Sequence, residues 1–102
     1  MGQLKDRMAT VMKIHGLAES TQKHYLAEMV KFTKFFKVSP DKLTKEHIYL
    51  YQDYLVNQKK VSYSALKIIV NSLRFFYNKV MGFEWMLKYI PYQKKELNFL
   101  QF

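Results

Sequence analysis

Apolar and polar positions alternate at the helical period from Ser62 to Met81. Seven apolar side chains fall on one broad face of this stretch: Leu66, Ile69, Val70, Leu73, Phe76, Tyr77 and Val80. The opposite face carries Ser64, Lys67, Asn71, Arg74 and Asn78. Ser62 offers an oxygen to the unpaired amides of the first turn, and Gly82 is typical of a helix end. The pattern predicts one amphipathic helix, around which the chain is organised, with a polar stripe that contains no acid.

Two shorter helical repeats precede this stretch. In the first, from Leu4 to His15, one face carries Leu4, Met8, Val11 and His15, with Met12 at its edge and Gly16 after its end. The second runs from Glu19 to Lys37, and its apolar face carries Tyr25, Met29, Phe32 and Phe36. Ser20 or Thr21 is expected to cap this second helix. Its other face carries Lys23, His24, Ala27, Lys31 and Lys34.

A short connector and a third helix follow. Ser39, Pro40 and Asp41 favour a tight turn, with proline at the first position of a single helical turn. Thr44 then caps a helix that extends to about Gln58. Within it, Leu43 and Ile48 have the spacing of a hydrophobic staple. The inner stripe of this helix is Ile48, Tyr51 and Leu55, flanked by Leu50 and Tyr54, while the acids Glu46 and Asp53 face away.

The remaining segments are a basic loop and a C-terminal stretch. Lys59 and Lys60 lie beside the positive end of the central helix, where backbone amides and lysines together favour a phosphate. After Gly82, the segment from Phe83 to Tyr89 predicts one or two helical turns, and Pro91 prevents their continuation. The fold class is therefore all-α: a compact bundle of four main helices with a short C-terminal helical turn and a tail. Residues 1–90 form one domain and residues 91–102 a linker or arm.

Composition and charge narrow the function. The chain has 102 residues and no cysteine, which excludes disulfides and thiolate metal sites. No apolar run approaches the roughly 20 residues of a membrane span, so we expect a soluble, cytoplasmic protein without a membrane partner. The formal net charge is +9, and between Lys59 and Lys95 eight cations stand against the single acid Glu84. Such a basic balance favours polyanionic partners, although solvated surface lysines are the simpler alternative.

Arrangements typical of catalysis are missing from the sequence. Its three glycines form no phosphate-binding loop, its acids are dispersed, and its three histidines lie on three different elements. We therefore expect no catalytic residue, no metal site and no cofactor, and we do not interpret this chain as an enzyme by itself. The residues that we expect to contact nucleic acid are Lys23, His24, Lys31, Lys34, Lys59, Lys60, Ser64, Lys67, Asn71 and Arg74.

The order of these signals resembles a known family. GLAESTQKHYL, KFTKFF, SPDKLTKEHIYLYQDYL, VSYSALKIIVNSLRFFYNKVMG and IPYQKK follow one another over nearly the whole chain. This order is similar to that of the N-terminal core-binding, SAM-like domain of tyrosine recombinases, also called phage integrases, within the branch of the integron-type integrases. The sequence departs from the family pattern at Ala18, where serine is frequent, and at Leu97 and Asn98, where a Leu-Pro step is usual.

The resemblance implies a DNA-binding role. In this family the domain closes with a catalytic domain as a clamp around duplex DNA, and two of its helices cross the major groove. The matching helices here begin near Ser20 and Ser62. The implied partners are double-stranded DNA, the catalytic domain of the parent recombinase and neighbouring protomers on the DNA. The family's catalytic arginines, lysine, histidines and tyrosine lie in that second domain, so none is carried over to this chain.

A second interpretation is a helical module that binds another protein. In it, the aromatic residues Phe83, Trp85 and Phe99 would dock a partner or a second copy of the chain. The two interpretations are compatible, because in the resembled family the segment after the last helix contacts the catalytic domain or neighbouring protomers.

Overall fold

The computed structural model describes residues 2–91, and in this part of the chain the fold is all-α. The four main helices are α1 (Gln3–Ile14), α2 (Glu19–Phe36), α3 (Lys45–Asp53) and α4 (Tyr63–Phe75). Two short 3-10 helices, Pro40–Lys42 and Glu84–Tyr89, lie at the predicted connector and C-terminal turn. The fold class predicted from the sequence is thus confirmed. The predicted linker lies, apart from Pro91, outside the described residues, and so does Phe99.

The third and fourth helices end in wider turns than predicted. Each continues directly into a π-helical turn, Tyr54–Gln58 after α3 and Phe76–Val80 after α4. In these turns the Lys59 amide donates to the Tyr54 carbonyl and the Met81 amide to the Phe76 carbonyl. Gly82 then adopts a left-handed conformation (φ 73°), which allows the chain to leave the helix as predicted.

The predicted apolar faces meet in one core. Met8 and Met12 of α1, Met29 and Phe32 of α2, and Ile48 and Tyr51 of α3 are buried there. Helix α4 and the π-helical turn after it supply the largest share, since all seven residues of the apolar face predicted for this stretch are buried. The most extensive contact between two helices joins α2 and α4. Residues on the neighbouring edges of these two helices therefore lie close together on the surface.

The helix starts confirm one predicted cap and correct another. The Ser62 hydroxyl accepts a hydrogen bond from the Ala65 amide (3.1 Å), as predicted for α4. In α2, however, the N-cap residue is Ala18, which has no capping side chain, so the predicted cap at Ser20 or Thr21 is wrong. Both residues already lie inside the helix. The chain turns into α2 earlier because the Ala18 carbonyl accepts the Gln22 amide (3.0 Å), while the Gln22 side chain binds the Leu17 carbonyl (2.8 Å).

The connector and α3 form as their sequence predicts. Pro40 begins the 3-10 turn, and Thr44 is the N-cap of α3, where its amide donates to Nδ1 of His47 (3.1 Å). The staple residues Leu43 and Ile48 are both buried in the core. Leu50, by contrast, remains about half exposed beside the inner stripe of the helix.

Buried tyrosines connect distant parts of the chain. The Tyr77 hydroxyl donates to the Pro40 carbonyl (2.8 Å), which ties the end of α4 to the connector. Burial, and to a smaller extent the nearby Asp41, raises the pKa of Tyr77 far above its ordinary value. Burial also raises the pKa of Tyr51 to about 12, with smaller contributions from Glu28 and Tyr54. Both hydroxyls therefore stay neutral at physiological pH.

Candidate nucleic-acid interface

Helices α2 and α4 form a groove that contains four of the predicted contact residues. It has a volume of about 410 Å³ and is lined by Thr21, His24, Tyr25, Tyr63, Ser64, Lys67, Ile68 and Asn71. The predicted residues among them are His24 from α2 and Ser64, Lys67 and Asn71 from α4. His24 and Lys67 are exposed, and no acid lines the groove. Two stripes identified separately in the sequence thus share one surface.

A second groove contains three further predicted lysines. Lys31 and Lys34 of α2 line it together with Lys59, which precedes α4. All three side chains are exposed. The groove has a volume of about 450 Å³ and is also lined by Phe35, which is exposed, by the partly buried Tyr54 and by the buried Tyr51. Lysines beside aromatic rings can hold phosphates while the rings support sugars or bases.

The second groove also contains an acid that the sequence analysis did not consider. Glu28 lines it, and its carboxylate lies 3.6 Å from the Lys31 ammonium. Its side chain is largely buried, with 17% of its surface exposed. Glu28 is one helical turn before Lys31, so an inspection of the α2 face for acids could have found it. It lowers the positive potential of this part of the surface.

A third, smaller pocket continues the groove along α4. It has a volume of about 200 Å³ and is lined by Leu17, Tyr25, Asn71, Arg74, Phe75, Asn78, Lys79 and Leu87. Tyr25 and Asn71 also line the first groove, so the two are continuous. Asn78 belongs to the predicted polar stripe but was not a candidate contact, and Lys79 lies beside that stripe. We call the surface of the two grooves and this pocket the α2–α4 seam.

The directions of the two helices follow from these linings. Leu17, which precedes α2, lies in the pocket with Asn78, which follows α4. Lys34 near the end of α2 lies in the second groove with Val61, which precedes α4. The helices are therefore antiparallel along the seam. Helix α2 spans 18 residues, so the seam is roughly 27 Å long.

Arg74 occupies a different environment from the rest of its stripe. Its guanidinium Nη1 donates to the carbonyls of Leu87 (3.1 Å) and Ile90 (2.5 Å), and the residue is partly buried. The Gln52 side chain holds the neighbouring Tyr89 carbonyl (2.8 Å). Arg74 thus fastens the C-terminal 3-10 helix to α4. The polar stripe by itself gave no signal for this structural contact.

Two predicted residues lie outside these grooves. Lys23 and Lys60 are both exposed, but neither lines the α2–α4 seam. Lys60 has a left-handed backbone conformation (φ 53°) in the turn that leads to α4. Both lysines remain predicted phosphate contacts at the margin of the surface.

The outer face of α3 carries a groove with exposed apolar side chains. A groove of about 430 Å³ is lined there by Lys45, Glu46, Tyr49, Leu50 and Tyr89. Tyr49 is 71% exposed and Leu50 is 54% exposed. Trp85, one of the aromatic residues of the protein-binding interpretation, is also exposed (56%), and its ring lies 5.8 Å from that of Phe83.

Neither a metal centre nor a membrane-spanning segment is found in the part of the chain that the structure describes. Residues 2–91 contain no group of three or more histidines and acids that could hold a metal ion. In the same residues, no helix combines the length and the hydropathy that crossing a bilayer requires.

Comparisons with known proteins agree on one relationship. The model of the family described as "Phage integrase, N-terminal SAM-like domain" matches residues 4–87. A protein of Sinorhizobium fredii, named as an integrase/recombinase (y4qK), is 33% identical over 96 residues. That alignment covers 93% of this chain but 31% of the relative, so the chain spans about a third of the relative's length. No solved structure matches the chain.

Proposed function

We infer the function from the family: this chain belongs to the N-terminal SAM-like domains of phage integrases, and we propose that it grips duplex DNA as one half of a clamp. It is a recombinase region, and the catalytic residues would lie in a separate part of the parent protein. In this proposal the chain itself performs no chemistry. Its further partners are the catalytic domain and neighbouring protomers. The order of its motifs favours the integron-type branch.

The observation that carries the proposal is the convergence of basic residues on the α2–α4 seam. Lys31, Lys34, Lys59 and Lys67 line its two grooves, and Glu28 is the single acid among the lining residues. Exposed lysines at these positions can neutralise backbone phosphates and release the counterions condensed on DNA. A seam about 27 Å long would span roughly eight base pairs of duplex at 3.4 Å each.

Position within the seam separates two kinds of contact. The long lysines would bind phosphates, which orient the domain without reading sequence. Ser64 is short, lies in the first groove and carries a hydroxyl that can pair with a base edge. In this arrangement most of the affinity is independent of sequence and strongly dependent on salt.

Reversal of charge on the seam tests this proposal. The variant Lys31→Glu/Lys34→Glu/Lys67→Glu should lose at least roughly a hundredfold in duplex affinity at about 50 mM salt, because three phosphate contacts become repulsions. Fluorescence anisotropy with a labelled duplex, repeated from about 50 to 200 mM salt, measures both affinity and salt slope. Circular dichroism should show an unchanged fold, since all three side chains are exposed.

A matched control separates the position of the charges from their number. The variant Lys5→Glu/Lys13→Glu/Lys45→Glu changes the net charge by the same amount at exposed residues that line neither seam groove. We expect it to retain most of the duplex affinity and the salt slope. Equal losses in both triple variants would contradict a localised interface, and tight binding by the seam variant would refute it.

A second candidate function is supported by the exposed apolar residues of α3. Tyr49 and Leu50 lie together in a groove that Lys45, Glu46 and Tyr89 complete, and exposed apolar side chains side by side are typical of protein contacts. We propose that this face, rather than the seam, would serve a protein partner. Light scattering of the chain with and without duplex distinguishes self-association through α3 from DNA-driven assembly.

A further inference from the structure

The pocket between the start of α2 and the end of α4 combines positive charge with hydrogen-bonding groups that bind no other part of the described chain. Its lining contains Arg74 and Lys79 but no aspartate or glutamate. Its volume of about 200 Å³ is sufficient for one tetrahedral anion. The Arg74 guanidinium contributes positive charge to the pocket while its Nη1 donates to the carbonyls of Leu87 and Ile90.

Two carboxamides in this pocket are available to a ligand. Asn71 and Asn78 are half-buried, and within residues 2–91 neither side chain takes part in a hydrogen bond. Their polar atoms remain open to solvent, so a ligand in the pocket can bind them without displacing a protein partner. Each carboxamide presents two N–H donors, so together with Lys79 the pocket offers several donors to an acceptor-rich ligand.

The third asparagine of the described region shows the contrasting arrangement. The Asn57 side chain donates to Oδ1 of Asp53 (2.7 Å), one helical turn earlier. Its carboxamide is therefore satisfied within the protein. Asn71 and Asn78 have no acid within the pocket to serve them in this way.

From these groups we propose that the pocket is a phosphate seat, in which Asn71, Asn78 and Lys79 bind one phosphate of the DNA backbone. A phosphate provides the acceptor oxygens that the donors lack and the negative charge that the lining favours. The pocket shares Tyr25 and Asn71 with the first groove, so a strand lying in that groove continues into it. This inference rests on the proposed function for the identity of the ligand, but its donor set stands on the pocket alone.

Inorganic phosphate tests the seat without DNA. In ¹⁵N-labelled protein, we expect the side-chain amide signals of Asn71 and Asn78 to shift saturably with added phosphate, whereas that of Asn57 stays in place. Sodium chloride at equal ionic strength should move none of the three. Lys79→Gln, at an exposed position, should abolish the shifts while the backbone spectrum stays that of a folded protein. Unshifted signals, or shifts that persist in Lys79→Gln, would overturn the seat.

Duplex binding provides the second arm. Lys79→Gln should weaken binding to every duplex sequence alike and lower the salt slope by about 0.9, the value for one phosphate contact. Lys13→Gln, which removes an exposed lysine from α1, should change neither quantity. The Asn78→Ala variant should likewise weaken binding equally for all sequences, since the contact is to the backbone.

The two arms distinguish failure of this inference from failure of the proposed function. If the protein binds duplex but Lys79→Gln behaves as the parent, the seat is wrong and the DNA-binding proposal survives. If phosphate shifts both asparagine signals but no duplex is bound at low salt, the anion seat survives and the DNA-binding proposal is wrong. If neither ligand is bound, both are refuted.

Discussion

The groove between α2 and α4 and the groove on the outer face of α3 have almost the same volume, about 410 and 430 Å³, but different chemistry. The first is lined by Lys67, His24 and Asn71 without an acid. The second combines Lys45 and Glu46, whose charges cancel, with the exposed ring of Tyr49 and the partly buried ring of Tyr89. Size therefore does not identify the nucleic-acid surface of this domain. The net charge and the supply of hydrogen-bond donors do.

The difference arises from how the helices pack. Helices α2 and α4 lie side by side, so their polar edges adjoin and the charges of both add on one surface. Helix α3 buries Ile48 and Tyr51, whereas Tyr49 and Leu50 stay largely exposed within residues 2–91. A polyanion would be attracted to the first surface, whereas a partner with an apolar face suits the second.

The largest effect that we expect separates two residues of the same polar stripe. Arg74→Ala should lower the free energy of unfolding by about 1–3 kcal/mol, because it leaves the Leu87 and Ile90 carbonyls without their charged donor. The salt dependence of duplex binding should be the same in Arg74→Ala as in the parent protein. Denaturant unfolding and anisotropy at several salt concentrations measure the two quantities.

Lys67→Ala is the matched control for Arg74. Lys67 is exposed, so its truncation should change stability by no more than about 0.5 kcal/mol but lower the salt slope by about 0.9. If Arg74→Ala instead lowered the salt slope and left stability unchanged, Arg74 would be a DNA contact and the distinction between the two residues would disappear.

A smaller effect tests whether charge distinguishes the two surfaces. Glu28→Gln removes the acid from the seam and releases Lys31, which lies 3.6 Å from it. We expect duplex affinity to increase roughly two- to fivefold, in the range of a single partly exposed ion pair. Glu46→Gln removes the same charge from α3 and should leave affinity unchanged. An equal gain in both variants would indicate that net charge alone governs binding.

Glu28→Gln should also change the free energy of unfolding at alkaline pH. Tyr51 has a pKa of about 12 in the folded chain against 10.0 for an unperturbed tyrosine, so its neutral form favours folding below pH 10. This contribution is lost as the pH rises from 10 towards 12. Glu28→Gln should lower the pKa of Tyr51, so that this contribution is lost over a narrower pH range. Burial still keeps the pKa of Tyr51 above 10.0. Denaturant unfolding at pH 9, 10.5 and 11.5 measures the difference.

The smallest effect concerns the α3 face. Tyr49→Gln/Leu50→Gln should change the free energy of unfolding by no more than about 0.5 kcal/mol per residue, because both side chains are largely exposed. Duplex affinity should change less than twofold. Light scattering then shows whether the parent chain associates through this face. A clear loss of duplex affinity would mean that α3 belongs to the nucleic-acid surface.

Much of the fold and part of the candidate site could be predicted from the sequence. The spacing of apolar residues identified four helices and their buried faces, and Ser62 and Thr44 marked two helix starts. The N-cap of α2 was predicted wrongly at Ser20 or Thr21, because a residue type that favours a cap is also tolerated within a first turn. Glu28 was overlooked on a helix face that otherwise carries lysines.

The sequence by itself determined the helices, their buried stripes and the excess of positive charge, since each of these depends on residue type and on spacing within a few turns. Only the tertiary structure decided that α2 and α4 lie side by side, that Arg74 turns to the carbonyls of Leu87 and Ile90, and that Leu17 and Leu87 line one pocket with Asn71 and Asn78. These contacts join residues far apart in the sequence or differ between neighbours of one stripe. Periodicity gives the direction in which a side chain leaves its helix, but the packing of other elements decides what it meets there.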